Sequence, residues 1–315
     1  MIGASQSQTV SASELDLSIQ LGRLALKNPV LVASGTFGYA REMAGVISLP
    51  ELGGILPKTI TQSPRPGNAP WRTVETSSGL LNAIGLDNDG IDYFLTNHWP
   101  YLRSTGATII VSIAGKSLDD FVLLAERLRE ADGLEAVELN VSCPNVSGGV
   151  DFGTDAKLCF EVVSSVRKVL DCAIVTKLTP NVTRIVDIAR AAKDAGTDAV
   201  TCINTVLGMA VDWRKRRPML ANVVGGLSGP AIKPIALRCV YQVASQVGVP
   251  VIGVGGIACV DDMMEFLVAG ASAIQIGTAN YYDPMVSMKL IHGLSDALVS
   301  MGASSVREIV GTLKS

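Results

Sequence analysis

Two lysines and two asparagines stand at the ends of short apolar runs, where a polar side chain is hardest to leave without a partner. Lys58 closes the run Gly54–Lys58, Lys177 closes Ala173–Lys177, Asn140 stands near the end of Ala136–Val141, and Asn204 closes Ala199–Asn204. Burying an amide-like group unpaired costs about 2–7 kcal/mol. Taken singly, each lysine could snorkel to solvent and each asparagine could cap a turn. Four such ends converging on one mouth imply a polar ligand. Cys143 follows the Asn140 run within Asn140-Val141-Ser142-Cys143-Pro144-Asn145. A thiol has a reference pKa near about 8.5, so it serves as a base or nucleophile only with help, and is otherwise a small buried hydrophobe.

Glycines add a second chemical signal. Gly225-Gly226-Leu227-Ser228-Gly229-Pro230 is read as opening a helix, while Gly253-Val254-Gly255-Gly256 and Gly277-Thr278 close two further apolar runs. Backbone N–H groups without Cβ crowding near a helix start form an anion cradle. The cradle alone does not say whether a phosphate there belongs to substrate or cofactor. His98 and His292 fall on predicted helices away from the strand ends and are read as packing or surface groups.

These positions need a scaffold that gathers strand ends. Strand candidates are Val30–Ala33, Gly54–Lys58, Thr108–Ile113, Ala136–Val141, Ala173–Lys177, Ala199–Asn204, Val251–Val254 and Ala273–Ile276. Most are followed by helical periodicity, as in Leu118, Phe121, Val122, Ala125 and Leu128, and again in Val182, Ile185, Val186, Ala189 and Ala192 after Pro180-Asn181. Eight such units predict an α/β fold, a (β/α)8 TIM barrel. The alternation around Gly22 in Leu15–Leu26 predicts a β-hairpin at the barrel floor. In Ala136–Ser142 the residues Glu138, Asn140 and Ser142 alternate with Val137, Leu139 and Val141, so the polar set faces the barrel axis. Two segments, 60–90 and 205–229, exceed ordinary βα loops and should lie over the active-site face.

Composition narrows the class. Lys plus Arg (26) nearly balances Asp plus Glu (29), which gives no basic patch for nucleic acid. No window offers the eighteen or so apolar residues of a membrane span. Met1–Ser13 is read as a flexible leader and 14–315 as one domain. The cysteines at 159, 172, 202, 239 and 259 form no C-x-x-C pair, and are read as buried thiols of a reduced cytoplasm and not as zinc or iron–sulfur ligands.

The segment Asn140–Val146 resembles the N-x-S-C-P-N motif of the dihydroorotate dehydrogenases of class 1, and Ser147–Thr154 resembles the active-site loop of class 1B catalytic subunits. Ala33–Gly38, Leu81–Asn88, Ile203–Thr205 and Gly225–Ile232 agree, so the likeness runs from about Asn28 to Pro284. Cys143, where the membrane-bound, quinone-using class carries serine, points away from that class. The resemblance implies oxidation of (S)-dihydroorotate to orotate in UMP synthesis, with hydride passing to FMN N5 and the C5 proton to Cys143.

It further implies FMN contacts from Ala33, Ser34, Lys58, Thr59, Ser112, Asn140, Lys177, Ile203, Gly229, Gly255, Gly256, Gly277 and Thr278. Ser112 occupies a position where most relatives are expected to carry Asn. Lys177 is expected to stabilise the anion of reduced FMN. The pyrimidine is expected on Lys58, Asn82, Gly85, Leu86, Asn140, Asn145, Asn204 and Thr205. Class 1B implies a homodimer joined by a subunit with FAD and a [2Fe–2S] cluster, as a cytoplasmic heterotetramer passing electrons to NAD. Class 1A, which uses fumarate, and the related FMN-dependent dihydropyrimidine dehydrogenases are the neighbouring alternatives.

Overall fold

The computed structural model describes residues 15–141 and 151–314. The segment read as a leader, together with Cys143 and Asn145, lies outside the described residues.

Eight parallel strands form the barrel wall: β1 (Val30–Val32), β2 (Gly54–Ile55), β3 (Ile110–Ile113), β4 (Ala136–Asn140), β5 (Ala173–Leu178), β6 (Ala199–Cys202), β7 (Val251–Val254) and β8 (Ala273–Ile276). Their lateral order is β2-β1-β8-β7-β6-β5-β4-β3. The ring closes between β2 and β3 through single parallel bridges at Ile55↔Ile109 and Ile60↔Ile113. There Ile55 N–H donates to Thr108 O at 2.8 Å and Ile60 N–H to Ser112 O at 2.8 Å. The strands are buried on both faces, which is why most read as apolar runs, while β4 alternates in sequence yet is buried throughout.

The helices pack outside, and their starts are written locally. Ser117 and Asp120 form a reciprocal cap at Leu118–Arg129, and Asp155 accepts from Lys157 and Leu158 N–H at the start of Ala156–Arg167. One expected start is corrected: the helix after β5 is Ile185–Asp194, not a helix from Val182. Asn181 is engaged elsewhere. Its amide donates to Thr205 O at 3.1 Å and accepts from Leu207 N–H at 3.0 Å, tying the strand-five loop to the segment above β6.

The floor hairpin is Ile19–Leu21 with Leu24–Leu26, turning at Gly22. It docks on Asp198, just before β6, whose carboxylate accepts from Arg23 N–H at 3.1 Å and from the Arg23 guanidinium at 2.9 Å. The same carboxylate accepts from Arg167 Nη2 at 2.6 Å and from Ile174 N–H at 2.8 Å.

The two long connections are not loops throughout, since both contribute strands. Thr73–Thr76 and Gly79–Asn82 from the first pair antiparallel with Val224–Ser228 and Val206–Met209 from the second. This four-stranded lid has its own small apolar cluster of Leu81, Ala83 and Leu220. Gly225 and Gly226 therefore sit within a strand, not at a helix start. A Cβ on Gly226 would collide with the Thr205 side chain, so this glycine lets the lid close on the strand-six end.

Candidate active site

The C-terminal ends of the barrel strands and the underside of the lid enclose a cavity of about 570 Å³, within the roughly 300–1,000 Å³ of small-molecule sites. Ala33 and Ser34 line it beyond β1, Lys58 and Thr59 beyond β2, Asn140 and Lys177 on β4 and β5, and Ile203, Asn204 and Thr205 beyond β6. Gly255 and Gly256 follow β7, Gly277 and Thr278 follow β8, and Gly229 follows the lid strand Val224–Ser228. The roof brings Asn82, Gly85 and Leu86. Lys58, Thr59 and Asn204 lie just past their strands and not within them, because β2 and β6 stop at Ile55 and Cys202.

Polar groups meet on the axis beneath this mouth. Asn204 donates from Nδ2 to Asn140 Oδ1 at 3.2 Å and accepts Thr205 N–H at 2.8 Å, which fixes the two amides against each other. Lys177 is paired in register with Asn140 on one side and Thr201 on the other. Its ammonium lies 3.8 Å from Glu138 Oε1 and donates to Gln275 Oε1 at 3.5 Å. Glu138 is wholly buried behind it, with Oε2 accepting from Thr201 Oγ1 at 2.9 Å and from Gln275 Nε2 at 2.8 Å.

The opposite end of the cavity is built from backbone. Gly229, Gly255 and Gly256 have φ of 89°, 134° and 80°, a region side chains disfavour. A Cβ on Gly256 would come within 3.0 Å of Gly229 O and of Lys233 N. Among the described residues the amides of Gly255, Gly256 and Gly277 donate to no protein acceptor. Thr278 Oγ1 donates to Ser228 Oγ at 2.7 Å, and both residues line the cavity. Free amides, two hydroxyls and the start of Lys233–Val247 suit a phosphate.

The roof depends on Asn88, to which the sequence reading gave no role. It is buried, and its Oδ1 accepts from Thr61 N–H at 3.2 Å and Gly90 N–H at 2.8 Å. Its Nδ2 donates to Thr61 Oγ1 at 2.8 Å and Leu86 O at 2.7 Å. The last of these bonds reaches Leu86, which has φ 58°, a left-handed conformation that a leucine rarely adopts. Each buried group left unpaired costs about 1–3 kcal/mol. Asn88→Ala is therefore expected to lower stability by at least about 2 kcal/mol and to loosen the 84–90 loop, read by urea unfolding and by faster proteolysis at that loop.

Ser112, expected at the flavin, stands one layer back: it is fully buried and its hydroxyl bonds Thr59 Oγ1 at 3.0 Å. Thr59 in turn donates to Ser34 Oγ at 3.3 Å, so Ser112 supports two lining residues and is not itself on the wall. Of the five other cysteines, Cys159, Cys202 and Cys239 are buried, but Cys172 is only half-buried and Cys259 is exposed, against the reading of all five as interior thiols. Cys259 sits at the N-cap of Val260–Ala269, a boundary position that apolar neighbours disguise. Burial pushes the Cys159 thiol up to about 12. His98 stacks on Tyr39 at 3.6 Å and His292 lies 3.3 Å from Glu51, both away from the cavity. Ser228 and Tyr281 also line the cavity and were not singled out, although Ser228 lay inside a quoted glycine segment.

A mouth of this kind, with glycines after the seventh and eighth strands, defines a β/α barrel with its site at the C-terminal face, where such barrels commonly hold phosphate. A family model for dihydroorotate dehydrogenase matches residues 16–298. The chain belongs to the dihydroorotate dehydrogenase family. A Bacteroides thetaiotaomicron protein named dihydroorotate dehydrogenase B (NAD+), catalytic subunit, is 50% identical over 300 residues, covering 95% of this chain and 99% of that protein. Proteins of the same name from Geotalea uraniireducens and Desulforamulus reducens are 48% and 46% identical over 299 residues, each covering 95% of this chain and 98% of the relative. Among the described residues no helix is long and apolar enough to cross a membrane.

Proposed function

We propose that the chain is the FMN-containing catalytic subunit of an NAD-linked dihydroorotate dehydrogenase, oxidising (S)-dihydroorotate to orotate in UMP synthesis. One observation carries the reading: a glycine cradle and a buried lysine–asparagine cluster line one cavity in a chain of this family. The residues fit a flavin phosphate, since Gly255, Gly256 and Gly277 present unengaged amides where a side chain would not fit at Gly256. When bound, FMN supplies the hydride acceptor.

The chain supplies the remaining chemistry. Lys177 lines the cavity wall, where its ammonium would stabilise negative charge on a flavin held there, and a fixed charge in a dry site acts without reorganising. Lys58 lines the same cavity beyond β2 and contributes a second cation. Asn82, Asn140 and Asn204, with Asn145 from outside the described residues, offer both donors and acceptors to a planar ring with carbonyl and N–H edges. Cys143 Sγ takes the C5 proton. The lid excludes water from the reacting pair. Electrons leave to NAD through a partner subunit carrying FAD and a [2Fe–2S] cluster, in a cytoplasmic heterotetramer built on a homodimer. The name "catalytic subunit" borne by the relatives supports a partner.

Purified protein should be yellow, and anaerobic dihydroorotate, but not dihydrouracil, should bleach it. NAD reduction should appear only on adding the partner subunit. A colourless protein, or bleaching by dihydrouracil alone, overturns the reading. Gly256→Ala forces a Cβ into the cradle at φ 80°, a backbone cost of about 1–2 kcal/mol. It should therefore release flavin about 5–30-fold more readily, measured as flavin retained through gel filtration against wild type.

A further inference from the structure

Glu138 is the one acidic residue within the eight barrel strands, whose other polar members are Ser112, Asn140, Thr176, Lys177, Thr201 and Gln275. Its side chain is wholly buried and does not line the cavity. Taking a carboxylate out of water costs several kcal/mol, and a buried ion pair is often no better for stability than well-packed apolar groups of the same volume. Stability is therefore a poor reason for a carboxylate here.

Its two oxygens are placed differently. Oε2 is satisfied by Thr201 Oγ1 at 2.9 Å and Gln275 Nε2 at 2.8 Å. Oε1 accepts no hydrogen bond and faces Lys177 Nζ at 3.8 Å. Gln275 spans the pair, donating to Glu138 through Nε2 and accepting from Lys177 through Oε1 at 3.5 Å. Lys177 is thus held from behind by long contacts. An ammonium has three donors, and the rest of this one's capacity faces the cavity.

We infer that Glu138 is a positioning residue that acts through Lys177, with Gln275 as the bridge, to hold the ammonium at the cavity wall and partly offset the charge it presents to the cofactor. This rests on the flavin reading above. It fixes a sign. Neutralising Glu138 leaves more positive potential at the wall, which favours the electron-rich reduced flavin over the oxidised one.

Glu138→Gln keeps the shape and the acceptor for Thr201 while removing the charge. It should raise binding of reduced over oxidised flavin about tenfold, which equals about 30 mV for a two-electron couple. The measurement is the flavin midpoint potential of the holoprotein, equilibrated with a reference dye. Glu138→Asp keeps the charge but withdraws it from Lys177, so it should shift the potential the same way by less. A residue that only fills space would leave both potentials at the wild-type value. An unchanged or lowered potential in Glu138→Gln overturns the inference, as does an unchanged one in Glu138→Asp should Glu138→Gln not fold. Failure of the flavin reading looks different, because wild-type protein would then be colourless.

Discussion

Cys143→Ala should slow flavin reduction by dihydroorotate about 10²–10⁴-fold, the range spanned by loss of a positioned general base. Flavin content should hardly change, because the cradle follows β7 and β8 and Lys177 lies on β5. Rapid mixing of oxidised holoprotein with substrate isolates this half-reaction from any later electron transfer. Cys143→Ser should recover part of the rate, since a hydroxyl can take the same proton but is a far weaker acid. The pH profile supplies a second check. A thiol with a reference pKa near about 8.5 makes the wild-type rate climb through mildly alkaline pH as thiolate forms. The alanine variant should lose that limb. A rate within tenfold of wild type would remove Cys143 from the proton transfer and return it to the class of ordinary thiols.

The second large effect lies at the other end of the barrel. Asp198→Ala removes an acceptor that satisfies Arg167, Arg23 and two backbone amides at once. Arg167 is part-buried, and burial holds its pKa below the usual guanidinium value while Asp198 pulls it back up. Breaking a buried pair from one side costs about 3–5 kcal/mol, against a total stability of about 5–15 kcal/mol for a folded domain. Equilibrium urea unfolding should show that loss. Arg23→Ala should cost about 1 kcal/mol or less, because its side chain is mostly exposed. Folded Asp198→Ala should bind flavin normally, because the floor does not contribute to the cavity. A loss of flavin at unchanged stability would contradict this division between floor and mouth.

The barrel strands and Asp198 separate what could be read from residues in order from what could not. Strands buried on both faces write themselves as apolar runs, so the core of all eight barrel strands lies within the expected segments. Glu138 and Asn140 stood out because a period of two exposed them against Val137 and Leu139. Asp198, a single carboxylate between Thr197 and Ala199, has the appearance of any helix-to-strand turn, and only the fold brings Arg23 and Arg167 to it. Asn88 is similar, since its four bonds are to backbone and hydroxyl groups that no spacing announces. The lid was illegible for another reason. Its strands are short and half-exposed, and Gly225-Gly226 has the composition of a turn, so nothing local marks a sheet. Ser112 does not line the cavity, because an inward-facing strand residue can be covered by its neighbour's hydroxyl.

The lid also bears on how the chain emerges from a ribosome. Ser228 hydroxyl donates to Leu80 carbonyl across a sequence separation of 148 residues, and their strands are neighbours in the finished sheet. At about 5–20 residues per second, the first hairpin waits roughly 7–30 s for its partner strand to be synthesised. During that interval Gly79–Asn82 presents an open ladder edge to every nearby nascent chain. Its four residues begin with glycine and end with asparagine, which is shorter than the roughly 5–7-residue apolar windows that seed aggregation. Brevity at this edge lets a roof assembled from distant parts of the chain survive its own delay.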